Sequence, residues 1–333
     1  MKSFLAILSA RNKEYYRDKA SLAWAFMFPL VVIVACAVAF SNPDTSIFRV
    51  GVHGDMNPPA QAFLSQPWIK AVPFERLDRA LERTQHHQLD LLLSGEGGGR
   101  YWINTESAAS AAAEQLLLSA GGDFERQQIS GRKIRYVDWV IPGVLGMNLM
   151  FGALFGVGYV IVRYRHNGVL KRLHATPVSA LEFLSAQLAS RLMIVVLVNS
   201  LIFIGCVLFL DLIVLGSYLS LLLVTLLGGF SMIALGLLVA CRTASEELAG
   251  GLLNLATWPM LFMSEVWFSL DDAPHWMQVM SNALPLTHIV KGFRSVMIEG
   301  ATLAEISHHL LWLAVMTAVT LGLASVLFRW HRR

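Results

Sequence analysis

The hydrophobic positions of the chain fall into six long runs separated by polar segments. Each run is close to the roughly 20 residues that a helix needs to cross the hydrocarbon core of a bilayer. The pattern predicts an α-helical polytopic membrane protein with six transmembrane helices and with both termini on one side. The runs cover 20–40, 139–162, 190–210, 217–240, 248–268 and 308–328.

Composition agrees with this prediction, and the placement of charge gives an orientation. Of the 333 residues 55% are hydrophobic and only 15% are charged, which is more apolar than is usual for a soluble protein. With the N-terminus inside, the cytoplasmic segments hold 14 Lys and Arg against five Asp and Glu, a balance of +9, and the outside segments a balance of −6. Because cytoplasmic loops retain basic residues, we expect cytoplasmic N- and C-termini in a bacterial inner membrane.

The first apolar run also resembles two processing signals. Residues 37–39 read Ala-Val-Ala, as at a signal-peptidase site, and residues 33–36 read Ile-Val-Ala-Cys, similar to a lipoprotein cleavage box. The apolar core of a signal peptide usually spans about 7 to 15 residues, and this run is longer. A retained anchor is therefore favoured over cleavage.

Residues 1–19, ahead of that run, have two interpretations. Phe4, Leu5, Leu8 and Tyr15 lie near one face at helical spacing. This predicts an amphipathic elbow helix in the cytoplasmic interface. The alternative is a basic flank that only sets the topology.

Residues 41–138 interrupt the membrane pattern and form a region of mixed polarity. Alternating apolar positions at Phe48, Val50 and Val52 predict a strand. A helix, two strands and a second helix follow, so we expect a small extracytoplasmic α/β domain between transmembrane helices 1 and 2. These later elements are predicted at 74–87, 89–93, 100–104 and 108–118.

Residues 139–333 hold the other five runs and two further segments. The basic loop 163–189 is the longest cytoplasmic loop and is broken at Thr176-Pro177. The outside segment 269–307 is only partly polar, and we expect it to lie at the outer interface of the membrane.

Several stretches, taken in order, resemble the permease subunits of type-2 ABC exporters, the ABC-2 type transporter permeases with a large extracytoplasmic domain. The resemblance spans nearly the whole chain and rests on the order and spacing of the stretches. They are Arg17-Asp18-Lys19 followed by Phe28-Pro29-Leu30, the stretch from Gly168 to Ser179, Leu284-Pro285-Leu286-Thr287 with Arg294, and Asn104-Thr105 before an Ala-rich helix.

The resemblance implies a half-transporter. Two permease chains, identical or homologous, would pair, and each would dock a cytoplasmic ABC ATPase that binds ATP and Mg. This chain is then expected to bind no cofactor, and its one Gly-rich run, 95–100, lacks the Gly-Lys-Ser/Thr ending of a phosphate-binding loop. The resemblance assigns ATPase coupling to Gly168, Leu170, Lys171, Arg172, Leu173, Thr176 and Pro177.

The charge around the coupling stretch departs from the family pattern. Arg165, His166, Asn167 and Lys171 stand where acidic residues are frequent in the family. The positive charge either follows the positive-inside rule or demands a more acidic groove on the ATPase.

Polar residues inside the predicted spans need a partner or a watery cavity. Because spans two and five resemble the walls of the family's central path, the resemblance implies that Asn148, Phe151, Asn254 and Trp258 line a transport path. The alternative is that the asparagines hold helices together. Gly152 and Gly156 form a small-xxx-small pair, which we interpret as close helix packing at the dimer seam.

Glu265 and the histidine pairs are further candidates. Eighteen residues of helix from Glu247 rise about 27 Å, which predicts a hydrated position for Glu265 at the outer rim. The adjacent pairs His86 and His87, and His308 and His309, are expected to diverge on a helix, which argues against a metal site.

Together these patterns favour an export permease for a hydrophobic or amphipathic small molecule or a lipid-like compound. We expect no catalytic set of its own, no nucleic acid partner, and contact with the lipid bilayer. Engagement of a periplasmic adaptor is left open. The rivals are a membrane-anchored ligand sensor, which usually has a cytoplasmic output domain, and an intramembrane enzyme, which needs paired catalytic residues.

Overall fold

The computed structural model divides the chain into two compact units. One combines Met1–Ala37 with Tyr136–Arg333, and the other is Val38–Arg135. We call them the helical unit and the α/β unit. The structure describes residues 2–39, 48–95, 99–121, 124–131, 134–169, 172, 175, 180–241, 243, 245–270 and 273–327.

The described residues contain twelve helices and five strands that are labelled here in chain order. The helices are α1 Lys2–Arg17, α2 Lys19–Ala39, α3 Pro58–Leu64, α4 Leu77–Gln85, α5 Ala108–Ser119, α6 Tyr136–His166, α7 Ala180–Leu210, α8 Tyr218–Ala240, α9 Glu246–Met263, α10 His275–Asn282, α11 Pro285–Ile298 and α12 Ser307–Leu327. The strands are β1 Phe48–His53, β2 Ile69–Pro73, β3 Leu91–Ser94, β4 Arg100–Asn104 and β5 Glu125–Ile129.

Five helices in the described part of the chain are long and apolar enough to cross a membrane. They correspond to five of the six predicted runs, so the prediction of a polytopic helical membrane protein is confirmed. The segments are Lys19–Cys36, Tyr136–His166, Glu182–Leu210, Tyr218–Ala240 and Ser307–Leu327.

The predicted run 248–268 falls on α9, which differs from these five. Helix α9 has 18 residues, begins with Glu246 and Glu247, and contains Pro259. Eighteen residues rise about 27 Å, slightly less than the hydrocarbon thickness of about 30 Å. The count of six spans therefore stays a prediction.

Helix α6 is the centre of the helical unit and packs against α7, α8, α9 and α11. Two glycines permit its closest approaches. A Cβ at Gly143 would overlap the backbone of Val266, and a Cβ at Gly236 of α8 would overlap the backbone of Leu154. Small residues at such crossings let helix backbones approach closely, as is usual in membrane bundles.

Helix α1 is docked on the helical unit. It lies along α7, where the Ser190 hydroxyl donates to the Asn12 amide oxygen at 2.5 Å. The chain turns at Asp18, whose carboxylate accepts from the amide and hydroxyl of Ser21 at 3.0 and 2.6 Å and caps α2. Residues 2–17 thus form a docked helix, and the place of this helix in the cytoplasmic interface stays a prediction.

The α/β unit is built on one five-stranded sheet with the order β2-β1-β3-β4-β5. Strand β1 is parallel to β2 and β3, β4 is antiparallel to β3, and β5 is parallel to β4. Phe63 and Leu117, from α3 and α5, complete a core with the buried residues of the central strands.

Three elements of this unit were not predicted from the pattern. Helix α3 begins with two prolines after the cap Asn57, and prolines at this position are typical both of loops and of first helical turns. Strand β2 buries Ile69 but not its other residues, and β5 is a polar edge strand of sequence Glu-Arg-Gln-Gln-Ile. Their hydrophobic periodicity is therefore too weak to predict them.

Candidate functional site

A cavity of about 750 Å³ lies among α1, α2 and α6 of the helical unit, with one side chain contributed by α7. Along α6 it extends from Asn148 to Arg163, a rise of about 22 Å. This volume is within the range of sites for drug-sized ligands. Its lining residues are Arg11, Glu14, Tyr15, Asp18, Ser21, Trp24, Ala25, Phe28, Asn148, Phe151, Gly152, Phe155, Gly156, Tyr159, Val160, Arg163 and Arg191.

One part of the cavity wall is aromatic. The rings of Trp24 and Phe28 are stacked with centroids 5.9 Å apart, and Phe28 meets Phe151 edge-on at 6.4 Å. Phe155 follows at 5.8 Å from Phe151. Because each pair on a single helix is spaced i, i+4, the sequence places these rings on one face of α2 and one face of α6.

The other part of the wall is charged and centred on Glu14. Its carboxylate accepts from Arg11 at 2.7 Å and from the Tyr164 hydroxyl at 2.5 Å, and it pairs with Arg163 at 3.0 Å. Burial raises the pKa of Glu14, but the hydrogen bonds from Tyr164 and Arg11 outweigh burial and leave the pKa below its ordinary value. The ionised carboxylate thus joins α1 to the C-terminal end of α6.

Arg191 lies between the aromatic and charged parts of the wall. Its Nε donates to the main-chain oxygen of Gly152 at 2.5 Å, and its Cζ is 5.5 Å from the centre of the Tyr15 ring. A Cβ at Gly156 would overlap the guanidinium. Gly156 therefore makes room for Arg191, whereas a Cβ at Gly152 would come closest to Val195 at 3.3 Å. The assignment of the two glycines to a dimer seam stays a prediction.

The structure separates the four residues assigned to a transport path. Asn148 and Phe151 line the cavity. Asn254 and Trp258 are exposed on α9, where Trp258 stacks on Phe262 with centroids 6.2 Å apart. Asn254 and Trp258 are not among the residues that line this cavity, so the shared path stays a prediction.

The coupling segment is described only in part. Gly168, two residues after the end of α6, has φ +68°, a left-handed conformation that glycine adopts without strain. Arg172 is exposed and donates to the main-chain oxygen of Asn167 at 3.2 Å. The remaining coupling candidates, Leu170, Lys171, Leu173, Thr176 and Pro177, lie outside the described residues.

Arg165 makes contacts that the sequence did not indicate. Its guanidinium donates to the main-chain oxygens of Ala240 at 2.9 Å, of Cys241 at 3.2 Å and of Thr243. It thus occupies the carbonyls that the end of α8 leaves without helical partners. Arg165 therefore binds main-chain carbonyls within the helical unit. Neither interpretation of its charge, the positive-inside rule or an acidic groove on the ATPase, includes this contact.

The prediction of a hydrated position for Glu265 is wrong. Helix α9 already ends at Met263, and Glu265 is in a left-handed turn with φ +56° and is only 9% exposed. Its carboxylate pairs with Lys291 at 3.2 Å and with Arg294 at 3.3 Å. The counting argument failed because it assumed a continuous helix.

Arg294 is fixed from two further sides. It donates to the main-chain oxygen of Glu265 at 2.8 Å, and its Cζ lies 3.9 Å from the centre of the Trp139 ring. Thr287 donates to the Ser264 hydroxyl at 3.0 Å. Thr287 and Arg294 belong to the stretch that resembles the family's motif before the last span. Their contacts anchor α11 to the turn after α9 and to the start of α6.

The expectation that the His308 and His309 side chains diverge is also wrong. Their ring centroids are 3.9 Å apart, and Nδ1 of His309 is 3.0 Å from Nδ1 of His288 on α11. In the part of the chain that the structure describes, no group of three or more His, Cys, Asp or Glu side chains is arranged to hold a metal ion.

The long apolar helices define a polytopic helical membrane protein. The family model described as "ABC-2 type transporter" matches residues 100–298, more than half of the chain. The chain therefore belongs to the ABC-2 type transporter family and is a transport permease. Members of this family are the membrane subunits of transporters, which is consistent with a chain that is not itself an enzyme. The resemblance found in the sequence is confirmed, and this family implies an ABC ATPase as partner.

Two curated relatives agree with this assignment. The chain is 20% identical over 269 residues to the probable multidrug ABC transporter permease YbhR of Escherichia coli strain K12, over 75% of this chain and 70% of that protein. The same figures hold for YbhR of Escherichia coli O157:H7.

Sequence reasoning missed several residues of the cavity. The sequence analysis assigns Arg191 no role beyond its basic charge, and α7 begins at Ala180, ten residues before the predicted run 190–210. Arg11 and Trp24 gave no signal of their own. A single Arg within a long apolar helix, together with two glycines one turn apart on another helix, was the available signal.

Proposed function

We propose that this chain is the transmembrane subunit of an exporter that moves an amphipathic small molecule or a lipid-like compound out across a bacterial inner membrane. It acts as a pair with a second, identical or homologous permease chain. A cytoplasmic ABC ATPase, which binds ATP and Mg, drives it. The names of the E. coli relatives, which describe probable multidrug permeases, favour an organic substrate.

The amphipathic cavity is the observation that carries this proposal. Aromatic rings line one part, and three guanidinium groups with two carboxylates line the other. A molecule with an apolar body and a polar group would satisfy both parts at once. A purely polar solute would leave the rings facing water, which is unfavourable for apolar surface.

The coupling route follows from contacts at the cytoplasmic end of α6. Arg165 holds the end of α8, and the Tyr159 hydroxyl donates to Glu246 at the start of α9 at 2.8 Å. Gly168, which begins the coupling segment, is three residues from Arg165. Movement of that segment against an ATPase would thus reach α6, α8 and α9 together.

In this arrangement both termini are cytoplasmic, the α/β unit lies outside, and α9 is the sixth span. Charge supports this orientation, because the basic residues gather in the proposed cytoplasmic segments. A periplasmic adaptor would have the α/β unit as its site of contact.

ATP-driven accumulation of a fluorescent amphiphile in inside-out vesicles tests the proposal. The vesicles carry the chain and its ATPase, and an ATPase variant that cannot hydrolyse ATP gives the background. We expect F151A to reduce the initial rate at least about fivefold, since Phe151 contacts two other rings of the cavity. The matched control is F209A, because Phe209 is 85% exposed and does not line the cavity. Equal rates for F151A, F209A and the unaltered chain would contradict a transport role for the cavity.

A further inference from the structure

The acidic groups of the cavity already have partners. Glu14 is shared by Arg11, Arg163 and Tyr164, and Asp18 caps α2 through Ser21. Three guanidinium groups and two carboxylates line the cavity, so its wall has a net positive charge. One of the three guanidinium groups is therefore not neutralised by a cavity carboxylate.

That cation is Arg191. Within the described residues its guanidinium has no carboxylate at ion-pair distance, and its recorded hydrogen bond goes from Nε to the main-chain oxygen of Gly152. The Tyr15 ring covers it from one side at 5.5 Å. Neither group neutralises the charge, and neither satisfies the two Nη nitrogens.

An ionised guanidinium inside a membrane-spanning helix is unfavourable unless it meets an anion or water. Arg presents its donors as a planar fork that matches a carboxylate or phosphate with two parallel hydrogen bonds. Gly156 leaves room for the guanidinium itself, and Arg191 also lines the cavity, from which an anionic group of a ligand would reach its donors. The site is therefore shaped for an anionic group that arrives with a ligand.

The neighbours of Arg191 define the rest of that ligand. Phe151 and Phe155 flank the two glycines on α6, and Trp24 and Phe28 continue the aromatic wall. An apolar body attached to the anion would lie against these rings. A free inorganic anion would leave the aromatic wall unfilled.

We propose that the cavity binds an anionic amphiphile, whose carboxylate or phosphate is held by Arg191 and whose apolar body lies against the aromatic wall. This inference rests on the proposed function and specifies its substrate class. The same chemistry occurs in anionic phospholipids of the inner leaflet, and we assign the site to a transported compound.

Equilibrium binding to the full chain in phosphatidylcholine nanodiscs tests this, without ATPase or ATP. The labelled probes share a dodecyl chain and differ in headgroup: dodecyl phosphate, dodecyltrimethylammonium and dodecyl maltoside. We expect the unaltered chain to bind the phosphate at least about tenfold more tightly than the ammonium compound, as a charge-assisted hydrogen-bond pair allows. R191Q should lower the phosphate affinity about tenfold, R191K less, and both should bind the maltoside as before.

The matched control is R76Q, because Arg76 is exposed in the α/β unit and is paired with Asp78. Equal affinities of the unaltered chain for phosphate and ammonium probes would overturn the proposal, as would equal losses in R191Q and R76Q. If R191Q binds none of the probes, the proposal is judged from two other results. The unaltered chain must prefer the phosphate probe to the ammonium probe, and R191K must bind the phosphate probe less tightly than the unaltered chain does.

A second arm separates the two sources of the anion. If nanodiscs that also contain phosphatidylglycerol bind no dodecyl phosphate, the site holds resident lipid, and the assignment to a transported compound is overturned. Because binding is measured without ATP, an intact anion preference together with absent transport would contradict the proposed function and leave the anion site standing. Transport without a preference for anions would contradict the anion site and leave the proposed function standing.

Discussion

The guanidinium of Arg165 donates to the main-chain oxygen of Ala240 at 2.9 Å, across 75 residues of sequence. This contact joins the C-terminal end of α6 to the end of α8, three residues before Gly168 begins the proposed coupling segment. A helix end held by a side chain from a neighbouring helix moves with that neighbour. Arg165 is therefore a positioning residue for coupling in the proposed function.

We expect R165K to uncouple ATP hydrolysis from transport. Lysine keeps the charge but offers a single ammonium, which cannot serve three carbonyls in the geometry of a planar fork. The molecules transported per ATP hydrolysed should fall several-fold in proteoliposomes, while the amount of folded protein changes little. R76Q again serves as the control, and an unchanged ratio in R165K would show that the Arg165 contacts do not transmit movement.

Glu265 is expected to stabilise the fold through its two cations. Glu265 and Arg294 are each 11% exposed at the side chain, so removing the carboxylate leaves a buried cation without its ion-pair partner. Loss of one partner from a buried pair costs about 3–5 kcal/mol. E265Q should therefore lower the melting temperature of the purified chain markedly. E299Q should not, because Glu299 is exposed at the end of α11.

A double-variant cycle separates pairing from a general packing effect. If Glu265 and Arg294 act as a pair, the loss of stability in E265Q/R294Q is smaller than the sum of the losses in the single variants. Additive losses would mean that the observed ion pair contributes no coupling energy.

His288 predicts a fall in stability under mildly acidic conditions. Burial lowers the pKa of His288 below its ordinary 6.5, and Lys291 and His308 lower it further, against a hydrogen bond to Asn282 that raises it. The unfolded chain therefore takes up a proton near pH 6.5, which the folded chain accepts only at lower pH. Stability from this group is complete above pH 6.5 and is lost as the pH falls from 6.5 through the folded pKa.

Melting temperatures measured from about pH 7.5 to about pH 5 check this prediction. H288Q removes the titrating ring and should flatten the dependence. H275Q is the control, because His275 is exposed on α10. An equal slope in H288Q and the unaltered chain would assign the pH dependence to other groups.

Gly236 is predicted to set the distance between α8 and α6. A Cβ there would overlap the main-chain oxygen of Leu154, and a backbone atom cannot turn away as a flexible side chain can. G236A should destabilise the chain by about 1–3 kcal/mol, the usual range for overpacking. G322A is the matched control, since a Cβ at Gly322 would meet nothing within 4 Å. A G236A chain as stable as G322A would mean that the helices can separate without loss.

The sequence was sufficient to predict those elements that depend on residues close together along the chain. Five membrane-spanning helices, strands β1, β3 and β4, and helices α4 and α5 follow from apolar periodicity. It was insufficient where partners are distant. Glu14 meets Tyr164 across 150 residues, and Arg191 meets Gly152 across 39, and periodicity does not record such contacts.

The failures at Glu265 and His308 have a different origin. Both predictions extended ideal helical geometry to places where the backbone or the rotamers depart from it. Glu265 lies in a left-handed turn, and the His308 ring lies against that of its neighbour His309. Such departures depend on tertiary contacts, here with Lys291 and Arg294 for the carboxylate.

The most direct test of the central claim is the composition and ATP hydrolysis of the complex purified from membranes through a tag on this chain. If the chain is the permease half of an ATP-driven exporter, a Walker-type ATPase copurifies in equal molar amount, and dodecyl phosphate raises its hydrolysis rate with the unaltered chain but not with R191Q. If the chain purifies without an ATPase, or if the hydrolysis rate does not respond to any of the three amphiphiles, the account is contradicted.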